Sequence, residues 1–81
     1  METVLRSVRP LEDFRLELKF QNGSIAIVNM ERSVQTIRFS RIANKEIFAT
    51  ARAEGDKVVW ADKGMPFGVY CRELLDAMMM D

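Results

Sequence analysis

The sequence contains no histidine, so the commonest general base and a common metal ligand are missing together. It has one cysteine, Cys71, which excludes an internal disulfide framework and suits a reducing compartment. It also has no net charge, since 12 basic side chains balance 12 acidic ones, and so no global pull toward nucleic acid or an anionic membrane. No apolar run approaches the roughly 20 residues that cross a bilayer. The opening METVLRSV lacks the apolar core of a secretory leader. These absences lead us to expect a cytoplasmic protein with no membrane association. No glycine loop for phosphate, zinc-ligand spacing or calcium loop is found, and no cofactor is expected. No two carboxylates sit in a context that suggests burial, as an acid–base pair would need. Cys71 falls beside Arg72 in the first turn of an expected helix, a setting that favours a thiolate. Without a histidine base or a second cysteine, it reads as a small buried apolar group. The expectation is a protein that is not an enzyme.

What is present is an ordinary globular composition, 81 residues with 48% apolar and 30% charged, enough for a single domain over 1–81 with a thin core. The chain is organised around FRLELKF, QNGS and IAIVNM, between Phe14 and Met30. Two alternating apolar runs joined by Asn22-Gly23 signal a β-hairpin with a two-residue turn. That turn predicts Gln21 opposite Ser24, Phe20 opposite Ile25, Leu18 opposite Ile27 and Leu16 opposite Asn29, all on the core face. Lys19 then faces Ala26 and Glu17 faces Val28 on the second side, with Met30 beyond. A returning strand that is apolar on both faces is covered either by the chain's own helix or by another subunit.

A strand is predicted before the hairpin over Thr3 to Arg9, ended by Pro10, with a turn at Leu11-Glu12-Asp13. Glu31 to Phe39 reads as a crossing loop with room for a short strand. Asn44 is a good N-cap for a short helix over Lys45 to Phe48. Phe48–Ala53 and Lys57–Ala61 form a second hairpin around Glu54-Gly55-Asp56, and Asp62 to Gly68 reads as a loop. Val69 to Met80 reads as a terminal helix with Leu74, Leu75, Met78 and Met79 on one stripe. The predicted fold is therefore α+β: an antiparallel sheet of about five strands built from two hairpins, a short helix near residue 45, and a C-terminal helix packed on the sheet.

In this order the chain resembles a small bacterial family known as domain of unknown function 2442, over about Val8 to Leu75. The resemblance rests on Val8-Arg9-Pro10, on Phe20-Gln21-Asn22-Gly23, and on Ile42-Ala43-Asn44-Lys45-Glu46-Ile47-Phe48. It continues through Gly55 to Trp60, Gly64, and Glu73-Leu74. The family's acidic residue after the first hairpin is Asn29 here. Its Asp and helix-starting Pro before the last helix are replaced by Val69, Tyr70 and Cys71. The resemblance implies a small α+β fold and no established activity. It also implies a regulatory or toxin–antitoxin-like setting, in which some relatives carry a helix-turn-helix domain or stand beside a second small protein.

Two candidate surfaces follow. The helix stripe and the doubly apolar strand offer surplus greasy area at Val28, Met30, Leu75, Met78 and Met79. That points to a non-catalytic protein–protein interaction module, a homodimer or one bound to a second small protein. The alternative is a nucleic-acid-binding small regulator. Between Arg32 and Arg52 lie Arg32, Arg38, Arg41, Lys45 and Arg52 against Glu46 alone, with Phe39 and Phe48 interleaved.

Overall fold

A computed structural model describes residues 4–62 and 64–80, with side chains described for 4–62 and 64–75. The first strand, β1 (Leu5–Leu11), leads through a 3₁₀ turn at Glu12–Phe14 into β2 (Arg15–Phe20), which returns as β3 (Ile25–Asn29). Two 3₁₀ turns, Ser33–Gln35 and Ser40–Ala43, carry the chain to the short helix α1 (Lys45–Phe48). Then come β4 (Arg52–Glu54), β5 (Lys57–Asp62), β6 (Met65–Tyr70) and the terminal helix α2 (Cys71–Met80).

The fold is α+β, with two antiparallel three-stranded sheets ordered β1-β2-β3 and β4-β5-β6 in place of one sheet of five strands. Two features of β1 account for the break. A bulge at Arg6 shifts its register, and Pro10 lies within the strand, where it has no N–H to offer a further neighbour. Pro10 does not end the strand as expected, because an edge position tolerates it. The sheets still meet at the other end of β1, where Leu5 donates its N–H to the carbonyl of Gly55 at 2.9 Å. Gly55, at φ +64, opens the two-residue turn between Glu54 and Lys57, a place that calls for glycine. Its neighbour Asp56 accepts the N–H of Cys71 at 2.8 Å, so one hairpin tip anchors both the first strand and the last helix.

Three further expectations are corrected. Phe48 closes α1, so the alanine-rich strand shrinks to Arg52–Glu54. Residues Met65–Tyr70, expected as loop and helix start, form β6, because Trp60 and Val58 on β5 have Phe67 and Val69 as partners there. The helix therefore begins at Cys71. The Glu31–Phe39 segment adds no strand; its 3₁₀ turn buries Val34 and leaves Ile37 exposed. The predicted cap is present, with Asn44 Oδ1 accepting the N–H of Glu46 at 2.8 Å and of Ile47 at 3.4 Å.

The core is one cluster. Leu16, Leu18, Val28, Met30 and Ile42 meet Val58, Trp60, Val69, Cys71 and Leu74 within it. A file of ring contacts threads it, from Phe14 to Phe48 (5.2 Å), Phe48 to Trp60 (6.3 Å), Trp60 to Phe67 (5.8 Å) and Phe67 to Phe39 (5.9 Å). Five segments of the chain are thereby pinned by large apolar surfaces with preferred ring geometries. Helix α2 packs against β3 and β6, the last strands of the two sheets.

Candidate functional site

The site is decided by one residue in the first hairpin. Phe20 accepts the N–H of Gly23 at 3.0 Å and donates its own N–H to Ser24 at 2.9 Å. The loop is thus Gln21-Asn22-Gly23, with Gly23 at φ +90. This is a type I turn followed by a left-handed glycine, the usual three-residue hairpin, and not the two-residue turn that Asn-Gly suggested. Asn22 stabilises it, its Oδ1 accepting the N–H of Ser24 at 2.9 Å.

The extra loop residue moves the register by one, and a one-residue shift turns every side chain of the returning strand over. Leu16 now faces Val28 and Leu18 faces Ala26 on the core side; Glu17 faces Ile27 and Lys19 faces Ile25 on the outer side. Val28 and Met30, expected on an interaction surface, are 3% and 1% exposed inside the chain's own core. They present nothing to a partner. Ile25 and Ile27, expected in the core, are 58% and 46% exposed. Leu75 is half-buried against the core. Met78 and Met79 belong to α2, and their side chains lie outside the described residues.

The same ladder fixes where the backbone of β3 points. Phe20 donates to Ser24, and Met30 donates to Phe14 at 2.8 Å, so the even-numbered residues of β3 bond to β2. In an antiparallel ladder the alternate residues then aim their N–H and C=O groups away. Those are Ile25, Ile27 and Asn29, and no described residue takes up that open side. Cys71 and Leu74 of α2 share the buried cluster with Val28 and Met30, so the helix meets β3 on its core face. Among the described residues nothing covers the outer isoleucines or the edge.

The basic stretch is not a free patch. Arg38 pairs with Glu73, and its guanidinium lies 5.1 Å from the centre of the Phe39 ring. Arg41 donates to Asp62 at 3.0 Å and to the Met65 carbonyl at 2.9 Å, with Phe67 beneath it at 5.3 Å. Arg52 faces Glu54 at 3.5 Å. Arg32 and Lys45 are exposed on different segments, Arg32 before the first 3₁₀ turn and Lys45 on α1. Basic middle and acidic end thus neutralise each other across the fold, which charge counted along the chain does not reveal.

A cleft of about 750 Å³ opens between Arg9–Phe14 and Lys45, Phe48 and Ala49. Asp13 and Phe14 beside it both stand at φ +58, a conformation non-glycine residues adopt only under constraint. Arg9, Lys45, Glu12 and Asp13 line it with mixed charge. The Cys71 thiol lies elsewhere, fully buried; desolvation, and secondarily Asp56, raise its pKa above the ordinary 9.0 and keep it protonated. Burial opposes the thiolate that a helix start favours.

Among the described residues no group of His, Cys, Asp and Glu gathers closely enough to hold a metal ion. Among those residues no helix is long and apolar enough to cross a membrane. No family model, curated protein or solved structure matches the chain, so the site is read from its own geometry.

Proposed function

We propose that the protein is a non-catalytic protein–protein interaction module that works as a homodimer, in a regulatory or toxin–antitoxin-like system. The observation that carries this is the outer side of β3, where two isoleucines lie exposed beside a strand edge that no described residue pairs with. Proteins rarely leave such an edge unguarded, because it templates pairing with another chain. The contact surface therefore moves from Val28 and Met30 to Ile25 and Ile27. The regulatory setting rests on the family resemblance alone. The nucleic-acid alternative has less to rest on, because Arg38, Arg41 and Arg52 already face acidic partners. Light scattering across micromolar concentrations tests the proposal, with a mass of two subunits expected. A one-subunit mass throughout, with no polypeptide retained when the chain is used as bait, would defeat it.

A further inference from the structure

Resting on that reading, we infer that the partner surface is the β3 edge of a second copy. The two edges run antiparallel about a two-fold axis through Ile27, joining two three-stranded sheets into one of six.

The four sheet edges differ in what guards them. Natural edges are blunted by charge, proline or a bulge. β1 has its bulge and Pro10, β4 is only three residues long and carries Arg52 and Glu54, and β6 has Pro66. β3 has the sequence IAIVN, with no charge, proline or glycine. It is the edge left able to pair.

The second step is register. The outward groups belong to Ile25, Ile27 and Asn29, spaced by two with Ile27 at the centre. Setting Ile27 against Ile27 of the second copy places each Ile25 against Asn29. All three become hydrogen-bonded pairs, so every outward N–H and C=O of these residues finds a partner. A shift of one residue would set outward groups against inward ones. A shift of two keeps outward groups opposed but carries Ile25 or Asn29 past the end of the strand, so the dyad through Ile27 pairs the most of them, and a symmetric interface is self-complementary by construction.

The third step is charge. On the outer face Ile27 is flanked by Glu17, which Arg9 neutralises at 3.4 Å. Ile25 is flanked by Lys19, and Asn29 by Arg15. Across the dyad the charged positions of the two copies stay separated by both β3 strands, so no like charges oppose one another. Ile27 meets Ile27, and each Ile25 packs beside it, removing apolar area from water on the face where the monomer leaves it exposed.

The test uses single cysteine variants of the full chain, with the unmodified chain as control because its Cys71 is buried. In the dyad the two Ile27 Cα atoms lie about 5.5 Å apart, inside the window for a disulfide. The two Ile25 positions are four residues out of register, about 13 Å along the strands. Under mild oxidation Ile27→Cys should form a covalent dimer at least tenfold faster than Ile25→Cys, although Ile25 is the more exposed. Ile27→Lys, which opposes two ammonium groups, should weaken dimerisation more than tenfold while leaving the far-ultraviolet circular dichroism unchanged. A two-subunit mass with Ile25→Cys linking as fast as Ile27→Cys would overturn the strand pairing while the homodimer stands. A one-subunit mass at all concentrations would overturn both.

Discussion

Replacing Val28 with threonine, and separately Ile27 with threonine, perturbs adjacent positions of one strand that point to opposite faces. Threonine keeps the β-branch, so strand propensity hardly changes and environment decides the cost. At Val28, 3% exposed, a methyl is exchanged for a hydroxyl inside the core. The lost transfer energy is about 0.8 kcal/mol. A buried hydroxyl without a partner adds about 1–3 kcal/mol, for a total of about 2–4 kcal/mol. At Ile27, 46% exposed, the hydroxyl reaches water, and the cost to a single subunit is about 0.5 kcal/mol. Urea unfolding followed by fluorescence reads the difference cleanly, because Trp60 is the sole tryptophan and is fully buried. With a slope of about 1 kcal/mol per molar urea for so small a domain, the midpoint should fall by about 2–4 M for Val28→Thr and about 0.5 M for Ile27→Thr. Raising the protein concentration should enlarge the Ile27 effect and leave the Val28 effect unchanged, since only Ile27 lies at the proposed contact. Equal or reversed costs at the lowest concentration would mean that β3 pairs in the other register and that the interaction surface is misplaced.

Two other outcomes are expected. Arg41→Ala should cost about 1–2 kcal/mol in the same assay, after allowance for its partial exposure, through loss of the Asp62 and Met65 bonds and the Phe67 ring contact. Arg41→Lys should recover only part, because an ammonium cannot supply both donors of the fork; an unchanged midpoint for Arg41→Ala would remove this structural role. For Cys71 the folded thiol's pKa lies above its unfolded value, so its contribution is complete below about pH 9.0 and is lost as pH rises through the folded value. Stability of the parent chain should therefore decline above pH 9.0 more steeply than that of Cys71→Ala, and parallel declines would refute the assignment.

Much of the fold was legible because it is written in local chemistry. The Asn44 cap is a contact between residues two and three apart, and the alternation of Leu16, Leu18 and Phe20 needs only the pleat of a strand to declare its inner face. The break into two sheets was less so. Whether β1 accepts another strand depends on Pro10 and the Arg6 bulge together with what reaches them from residue 55, a separation that no local pattern spans. β6 was missed for a similar reason. Met65-Pro66-Phe67-Gly68 carries turn residues, and only packing of Phe67 and Val69 against β5 makes a strand of it.

Composition alone established that this chain has no histidine chemistry, no internal disulfide and no net charge, and its spacing established the short helix, the terminal helix and the first hairpin. Asn22-Gly23 favours a two-residue loop but also fits a three-residue loop that ends on a left-handed Gly23, and the two loops turn opposite faces of β3 inward. Tertiary packing made that choice, drawing Val28 and Met30 under Leu74 and leaving Ile25 and Ile27 in water. The physical reason is that a strand's faces alternate with every residue, so a single residue in a turn decides which side chains are core and which are left for a partner.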